Sequence, residues 1–559
     1  MDFLQMLIVI GVIVLLVKPV GTYLYYVFSG EPNRTDKIFG GIERFIYKVA
    51  GYKRLEGMSW KKYGFSLIAT NLALIAVSYL ILRIQQVLPL NSNKMEAMEP
   101  TLAFNTVISF MTNTNLQHYS GESALSYFSQ MAVITMMMFT SAATGLSAAM
   151  AFIRGLTRRG STVGNFFEDL VKAHVRVFLP AALLVTLVLV ALQVPQTLDP
   201  TLTVQTLEGA VQKIAVGPVA SLESIKHLGT NGGGFFGVNS AHPFENPNGL
   251  TNAVEIWSMW VFGAALPYTF GLFAKNKKQG WVIFSAMMIL FLVFLSTVYF
   301  SEKAGNPALE VLDIDASQGS MEGKEVRFGI AGSSLFTTVT TAATTGSVNN
   351  MHDTLTPLGG LAALAQMMLN VVFGGKGVGL MNMIMYAILG VFICGLMVGR
   401  TPEFMGRKIE AKEMKLIAIA ILVHPFIILV PTAVSLITDL GYSAVTNPGF
   451  HGLTQVLYEY TSSAANNGSG FEGLADNTPF WNITTGLVML FGRYVSIIAL
   501  LGVAGSLMSK EPVPETIGTL KTDNKLFAGI LIGTVLLIGA LTFLPAIAMG
   551  PVAEFLTLG

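Results

Sequence analysis

Four short tracts of small and polar residues recur along this chain of 559 residues. They read Thr112-Asn113-Thr114-Asn115, Thr230-Asn231-Gly232-Gly233-Gly234, Ala343-Thr344-Thr345-Gly346 and Ala465-Asn466-Asn467-Gly468. Asn113, Asn231, Thr344 and Asn466 follow one another at nearly equal intervals, which is typical of one unit used four times. A single tract of this kind indicates a turn. Four at matched intervals indicate a shared role.

The chemistry that such tracts offer is that of the backbone carbonyl group. Glycine allows two backbones to approach closely, and Thr, Asn and Ser side chains can support a loop from behind. Carbonyl oxygens arranged in a ring can replace the hydration shell of a cation. We therefore predict that the four tracts converge on one axis as a cation filter, with the partially negative C-terminal ends of the preceding helices pointing at the ion.

The segments that position these tracts are unusually short. Each tract follows a semi-apolar stretch of about ten residues, which as a helix rises only about 15 Å, half the thickness of a hydrocarbon core of about 30 Å. Such a helix must re-enter the membrane from one side. Irregular backbone at membrane depth is tolerated where it is buried in protein or lines a water-filled path. The pattern thus predicts a pore.

The composition excludes a water-soluble globule. Hydrophobic residues make up 52% of the chain, charged residues 12%, and the mean hydropathy is +0.60, whereas soluble domains carry about 25% charged residues. We predict an all-α polytopic membrane protein with ten transmembrane helices. The apolar runs lie near 3–28, 64–88, 127–153, 175–193, 253–273, 281–300, 361–398 (interrupted), 415–437, 483–508 and 526–547.

Basic residues are concentrated in alternate connecting segments. Most of the 34 lysines and arginines fall in 28–63, 154–176, 275–278, 400–415 and 510–525. The positive-inside rule places these segments in the cytoplasm and, with ten spans, both termini outside.

The opposite segments are acidic, and these carboxylates either enrich cations at the pore mouth or are simply solvated. They are Glu96, Glu99, Glu122, Glu223, Glu245, Glu302, Glu310, Asp313, Asp315, Glu322, Glu325, Glu472 and Asp476. A net charge of +1 without a basic block argues against nucleic-acid binding.

Several strings in the chain resemble those of a known family. MTNTNLQHYSGE at 111–122, GTNGGGFF at 229–236 with HPFENP at 242–247, GRTPEF at 399–404 and SSAANNGS at 462–469 are similar to the KdpA family of channel-like potassium-pump subunits, within the superfamily of potassium transporters. The resemblance runs from the first helix to LIGTVLLIGALTFLPA at 531–546.

The resemblance implies four helix–pore-helix–filter–helix repeats around one pseudo-fourfold pore, plus one extra helix at each end. The expected units are 1–63 (extra helix and basic loop), 64–155, 172–274, 280–400 and 413–509 (repeats one to four), and 524–559 (extra helix).

Carried over residue by residue, the resemblance implies a potassium filter at Thr112–Asn115, Thr230–Gly234, Ala343–Gly346 and Ala465–Gly468, with Gln117 just outside the first loop. The third loop is the most divergent, since Thr344 and Thr345 stand where some relatives have Ser-Cys. The glycine-rich stretch at 373–379, which includes Gly374, Gly375, Lys376 and Gly377, is expected to form an intramembrane loop below the filter. A turn at the surface is the alternative.

Arg493 lies early in an apolar span, where a charge costs about 2.5–3.5 kcal/mol or more. It either faces the pore beneath the filter, or it snorkels or takes part in a structural pair. His118, His227 and His242 are not spaced like metal ligands, and we expect them to be structural or solvated.

No Walker motif and no DKTGT-like phosphorylation sequence occurs in the chain, so we expect it to bind potassium as substrate but no nucleotide. The resemblance implies a non-catalytic subunit of a high-affinity potassium uptake pump in the bacterial plasma membrane. Its expected partners are a KdpB-like P-type ATPase subunit, a KdpC-like subunit, a small single-helix KdpF-like subunit and membrane lipid. The alternative is a stand-alone Trk/Ktr-like potassium channel or symporter.

Overall fold

The computed structural model of the chain describes residues 2–52, 56–307, 318–514 and 519–558. Lys53 and Arg54 of the first basic segment, and Glu310, Asp313 and Asp315 of an acidic one, lie outside the described residues. Within the described ranges, ten helices are long and apolar enough to cross a membrane, as predicted.

The helices, in chain order, are α1 Asp2–Phe28, α2 Thr35–Val49, α3 Trp60–Arg83, α4 Pro100–Met111, α5 Gly121–Ala124, α6 Tyr127–Thr157, α7 Phe166–Ala191, α8 Val219–Leu228, α9 Gly249–Phe273, α10 Lys277–Ala304, α11 Gly329–Ala342, α12 Pro357–Leu369, α13 Val378–Met397, α14 Ala411–Ile437, α15 Asp439–Tyr442, α16 Phe450–Ala465, α17 Pro479–Met508 and α18 Lys525–Leu558. Two antiparallel hairpins connect some of them, with strands β1 Leu202–Gln205, β2 Val211–Ile214, β3 Glu403–Phe404 and β4 Arg407–Lys408.

The helices fall into the four expected repeats. Each repeat contains a first spanning helix (α3, α7, α10 or α14), a short pore helix (α4, α8, α11 or α16) and a second spanning helix (α6, α9, α13 or α17). The four pore helices have 12, 10, 14 and 16 residues, which give rises of about 15–24 Å, so the last two are longer than the predicted ten residues. The flanking helices α1 and α18 are the extra spans. The precise unit boundaries given above stay a prediction.

Burial separates the two spanning helices of each repeat. In the most apolar window of each helix, the buried share is 22% for α3 but 89% for α6, 39% for α7 but 83% for α9, 44% for α10 but 67% for α13, and 28% for α14 but 67% for α17. The second helices therefore form an inner ring, and the first helices lie outside it. The inner helix α6 is rich in Ala, Ser, Thr and Gly, residue types that let helices approach closely in a membrane.

The third repeat departs from the others, as the glycine-rich sequence predicts. Its second helical segment is broken into α12 and α13 by residues 370–377, which we call the intramembrane loop. Asn370 ends α12 in the left-handed conformation, with φ 48°. The loop is buried throughout, so it is not a turn at the surface.

The basic segments meet at one end of the bundle. Arg407 donates hydrogen bonds to the carbonyl oxygens of Gly155 (2.8 Å) and Leu156 (3.0 Å), at the C-terminal end of α6. A cation there complements the partial negative charge of the helix end. Arg158 binds the carbonyl oxygen of Ser29 (2.6 Å), and Asn276 binds Asp523 (3.1 Å). Arg159 pairs with Glu511, which joins 154–176 to 510–525. Together these contacts involve all five basic segments.

One of the buried ion pairs at this end joins α6 to α7. Arg154 pairs with Asp169, whose carboxylate also accepts a hydrogen bond from the Tyr63 hydroxyl at 2.9 Å. The two side chains are only 8% and 4% exposed, whereas those of the nearby pair Arg159 and Glu511 are 56% and 80% exposed.

We expect Arg154→Met to destabilise the fold by about 3–5 kcal/mol, because it leaves the Asp169 carboxylate buried without its cation. The matched change Arg159→Met breaks an exposed pair and should cost at most about 1 kcal/mol. Thermal unfolding of the detergent-purified chain, followed by circular dichroism, measures both. Equal unfolding midpoints for the two variants would contradict this account.

Candidate potassium filter

All four pore helices end in the same backbone motif. Just beyond each helix end, a backbone N–H group donates to the carbonyl oxygen five residues earlier: Thr114 to Ser109 (2.9 Å), Asn231 to Lys226 (2.7 Å), Thr345 to Thr340 (2.8 Å) and Asn467 to Ser462 (2.9 Å). This is the long hydrogen bond of a Schellman motif, which satisfies a carbonyl that the helix end leaves free. The four tracts therefore adopt one local geometry, including the divergent third one.

The motif requires one left-handed residue in each loop. These residues are Asn113 (φ 64°), Thr230 (φ 50°), Thr344 (φ 46°) and Asn466 (φ 54°). Asparagine tolerates this region, but a β-branched threonine there is an outlier, of the kind found at functional sites. The structural counterpart of Asn113 in the second loop is thus Thr230. Our alignment of Asn231 with Asn113 was wrong by one residue.

Two positions after each left-handed residue, the chain lies close to a neighbouring loop. These positions are Asn115, Gly232, Gly346 and Gly468, which we call the filter ring. A Cβ atom on Gly232 would lie 2.7 Å from the carbonyl oxygen of Thr345 in the third loop. A Cβ atom on Gly346 would meet the carbonyl of Asn467, and one on Gly468 the carbonyl of Thr114. Each glycine thus lies against the backbone of the next loop, and the loops close into a ring in chain order.

Side-chain amides donate hydrogen bonds to oxygen atoms of the filter loops. Asn113 Nδ2 donates to the carbonyl oxygen of Thr230 (2.7 Å), and Asn239 Nδ2 to that of Gly232 (2.7 Å). Asn466 Nδ2 donates to Thr114 Oγ1 at 2.9 Å, which joins the fourth loop to the first. The first two bonds fix the orientation of the carbonyls that accept them, and the third ties two loops together.

Gln117 acts in the same way outside the first loop. Its amide both donates to the carbonyl oxygen of Gly234 (3.1 Å) and accepts from the Gly234 N–H group (2.8 Å). Gly233 and Gly234 follow the ring residue Gly232 and are not part of the filter ring. A Cβ atom on Gly233 would lie 2.6 Å from the Phe110 ring, so this residue packs behind the filter.

The intramembrane loop lies against the third filter loop. The Gly375 N–H group donates to the carbonyl oxygen of Ala343 at 2.8 Å, and a Cβ atom on Gly375 would lie 2.9 Å from Thr344 Oγ1. Lys376 is 1% exposed, and its Nζ donates to the carbonyl oxygen of Met259 at 2.9 Å. The loop therefore places a buried amine among the inner helices.

Arg493 lies beside this loop. It is 3% exposed, and its guanidinium donates to the carbonyl oxygen of Ser141 at 3.3 Å. A Cβ atom on Gly145 would lie 2.6 Å from the Lys376 carbonyl oxygen and 2.7 Å from the Arg493 guanidinium, so the Arg493 side chain and the Lys376 backbone both lie against α6. Among the described residues, no carboxylate lies within 4.0 Å of either cation.

Above the ring is a cavity of about 310 Å³, which we call the outer vestibule. Its wall includes Asn115, Gln117, His118, Gly346, Gly468, Gly470, Glu472 and Asp476. Partial burial raises the pKa of Asp476 to about 7. Burial lowers the pKa of His118, but the neighbouring Asp476 and Glu459 carboxylates outweigh it and raise the pKa to about 9.

Comparison with known proteins identifies the family. Residues 7–556 match the family described as KdpA, Potassium-transporting ATPase A subunit. The chain belongs to this family. A protein of Geobacillus kaustophilus (strain HTA426), named "Potassium-transporting ATPase potassium-binding subunit", is 62% identical over 556 residues, which cover 100% of this chain and 99% of that protein.

The fold of this KdpA family member is also found in a solved potassium transporter. The crystal structure of TrkH from Vibrio parahaemolyticus matches with a TM-score of 0.52 at 14% identity, covering 89% of this chain and 98% of that one. At such low identity, the likeness concerns the fold alone. It supports the predicted fold class, an all-α polytopic membrane protein.

The carboxylates of the acidic outer segments differ in burial, which the sequence alone does not reveal. Glu223 and Glu245 are fully buried, and each pairs with Lys226, at 2.9 and 2.7 Å. Glu302 is fully buried with Lys324, at 2.6 Å. These three are not solvated and do not line the outer vestibule, whereas Glu472 and Asp476 do.

Sequence reasoning also missed the residues behind the filter. Asn239 and Ser141 contact filter residues, the latter through Asn113 Oδ1 at 2.9 Å. The HPFENP string, which includes Glu245, was recognised only as a family signature. The Glu245 carboxylate accepts a hydrogen bond from the Phe236 N–H group at 2.7 Å and thereby supports the segment after the second loop.

We expect Gly232→Ser to weaken the apparent affinity for potassium by about tenfold to a hundredfold, because overpacking typically costs about 1–3 kcal/mol and here forces two loops apart. Discrimination against rubidium and sodium should fall with it. Concentration-dependent uptake of each ion by the assembled complex measures both quantities.

The matched control is Gly249→Ser, since a Cβ atom at Gly249 meets no atom within 4 Å. This variant should retain the affinity of the unmodified protein. Unchanged affinity and selectivity in the Gly232→Ser complex would contradict the filter assignment.

Proposed function

We propose that this chain selects potassium on the outer side of the membrane for an ATP-driven uptake pump. The ion enters the outer vestibule, loses its water among the four loops and passes to a separate P-type ATPase subunit. The observation that carries the proposal is the closed ring of four equivalent loops, each following a pore helix that ends in the same motif.

The ring has the features that selection of a desolvated cation requires. The loops are buried, so their dipoles act in a medium of low polarity. The amides of Asn113, Asn239 and Gln117 hold individual carbonyls in place. Four helix C-termini direct partial negative charge toward the centre. Such a site exchanges water oxygens for carbonyl oxygens with little reorganisation.

Below the ring, Lys376 and Arg493 act as a barrier to direct passage. Both are buried and bind backbone carbonyls instead of carboxylates in the described part of the chain. Their positive charge repels a potassium ion that enters this region of low polarity. A pump needs such a barrier, because an open pore beneath a filter would dissipate the gradient that the pump builds.

The expected partners follow from what this chain does not supply. Its sequence has no nucleotide-handling motif, so the free energy for uphill transport must come from other subunits. We assign this role to a KdpB-like P-type ATPase subunit, with KdpC-like and small single-helix KdpF-like subunits completing the complex. A Trk/Ktr-like channel or symporter is the alternative, but the family match over residues 7–556 favours the pump.

The location follows from the charged segments. The five basic segments meet at one end of the bundle, and the outer vestibule lies beyond the filter from it. By the positive-inside rule the basic end is cytoplasmic, which places both termini outside the bacterial plasma membrane.

Reconstitution tests the division of labour. The purified chain in liposomes should neither hydrolyse ATP nor accumulate potassium, because a selective path alone shifts no equilibrium. Adding the ATPase and accessory subunits should restore both, with hydrolysis stimulated by potassium. If the Gly232→Ser complex keeps the potassium dependence of the unmodified complex, the selecting site lies in a partner and this chain is a scaffold.

Replacing Arg493 tests the barrier. We expect Arg493→Met to produce a passive potassium leak from loaded proteoliposomes in the absence of ATP, while Arg493→Lys, which keeps the charge, should remain tight. Potassium flux and gel filtration of the complex are measured together. Loss of assembly in Arg493→Met without any leak would assign the residue a structural role.

A further inference from the structure

A cluster of one imidazole and two carboxylates lies beside the outer vestibule, outside the filter ring. His118 follows the first filter loop, Glu459 lies on pore helix α16, and Asp476 follows the fourth filter loop. One ligand atom of each lies within 4.8 Å of those of the other two. The cluster therefore joins the first and fourth repeats at the mouth of the filter.

Asn482 fixes the orientation of the His118 ring. Asn482 Nδ2 donates to Thr101 Oγ1 (3.1 Å), which directs Oδ1 toward His118 Nδ1 at 2.7 Å. Since an amide oxygen only accepts, Nδ1 carries the hydrogen. Nε2 is thereby the nitrogen presented to the carboxylates. A neighbouring oxygen that sets the tautomer in this way is usual for metal-binding histidines.

Nε2 lies 3.2 Å from Glu459 Oε1 and 3.7 Å from Asp476 Oδ2. A bare nitrogen lone pair facing two carboxylates is repulsive, so this place must hold either a proton, on Nε2 or on a carboxyl oxygen, or a metal ion. The second carboxylate oxygen of Glu459, Oε2, has no hydrogen-bond partner, although the residue is only 1% exposed. A Cβ atom on Gly470, in the vestibule wall, would lie 3.4 Å from it.

The spacing suits a transition metal. Zinc binds imidazole nitrogen and carboxylate oxygen at about 2.0–2.2 Å, which places neighbouring ligand atoms of a tetrahedral site about 3.3–3.5 Å apart. The observed distances of 3.2 and 3.7 Å lie on either side of this range. Three protein ligands leave one position for water, and access is through Asp476, whose side chain is 24% exposed. An imidazole ligand favours zinc over alkali ions.

A second cluster of similar composition serves as a contrast. Glu223, His227 and Glu255 also lie close together, but the Lys226 ammonium occupies their neighbourhood and binds Glu223 at 2.9 Å. A fixed cation already neutralises that cluster. At His118, no lysine or arginine lies within ion-pair distance in the described part of the chain.

We propose that His118, Glu459 and Asp476 bind a divalent transition-metal cation, with Zn²⁺ the best match, and that its occupancy slows potassium access to the filter. Replacing one proton by a dication adds positive charge at the wall of the outer vestibule, which opposes an approaching potassium ion. The binding site stands on geometry alone. The effect on access rests on the proposed function.

Binding is tested by titrating ZnCl₂ into the full-length chain, purified in detergent and freed of metal with a chelator. We expect one site per chain whose affinity falls at least about tenfold in His118→Gln and in Asp476→Asn. His242→Gln is the matched control, because His242 stacks on Phe236 at 3.7 Å and lies outside the cluster. Gel filtration and thermal unfolding establish that each variant is folded.

Equal zinc stoichiometry and affinity in the unmodified chain and in a folded Asp476→Asn chain would overturn the site. In the assembled complex, low zinc concentrations should reduce the rate of potassium uptake, with the reduction lost in Asp476→Asn. Zinc binding that leaves the uptake rate unchanged would overturn the effect on access but not the site. An unmodified complex that fails to transport potassium even without zinc would instead count against the proposed function.

Discussion

Irregular backbone at the depth of the membrane must find every hydrogen-bond partner within the protein, and much of this structure follows from that constraint. Each pore helix ends halfway, and its last turn would leave free carbonyls without the long Schellman bond, such as that from Thr114 to Ser109. The left-handed residue that this bond requires then turns the chain and directs the following carbonyls toward the neighbouring loop. The geometry of the filter is thus a consequence of how a buried helix can end.

The inner helices must in turn come close enough to support such loops. They do so at glycines: a Cβ atom on Gly145 would meet the Lys376 carbonyl, one on Gly263 that of Phe373, and one on Gly492 that of Ala464. Small residues give close packing in a membrane, where the hydrophobic effect provides no force between helices. The high burial of α6 and α9 is therefore part of what positions the filter and the intramembrane loop.

Much of this architecture could be predicted from the sequence, because its strongest signals are local. Apolar runs separated by basic segments predict ten transmembrane helices, the number that the structure has in the described residues. The glycines at 374, 375 and 377 predict the break between α12 and α13. The fourfold layout could be found because composition repeats even where sequence does not.

What could not be predicted depends on contacts distant in sequence or on backbone angles. Thr230 takes the left-handed position although Asn231 is the residue type that favours it, because the hydrogen bond to Lys226 sets the register. Glu223 and Glu245 looked like loop carboxylates, since the sequence shows the sign of a charge but not its burial beside Lys226. The position of His118 between Glu459 and Asp476 depends on residues more than 300 positions away.

The presence of all four repeats in one chain frees each quarter of the ring to change alone. Asn115 stands where the other three loops have glycine, and both ends of its amide are buried without a hydrogen-bond partner. In an assembly of four identical subunits, a side chain at this position would appear four times and crowd the axis. The same holds for the broken helix of the third repeat, which as four copies would remove the inner ring. Covalent linkage thus permits an asymmetric pore, in which one quarter provides a side chain, another provides an obstruction, and the rest preserve the frame.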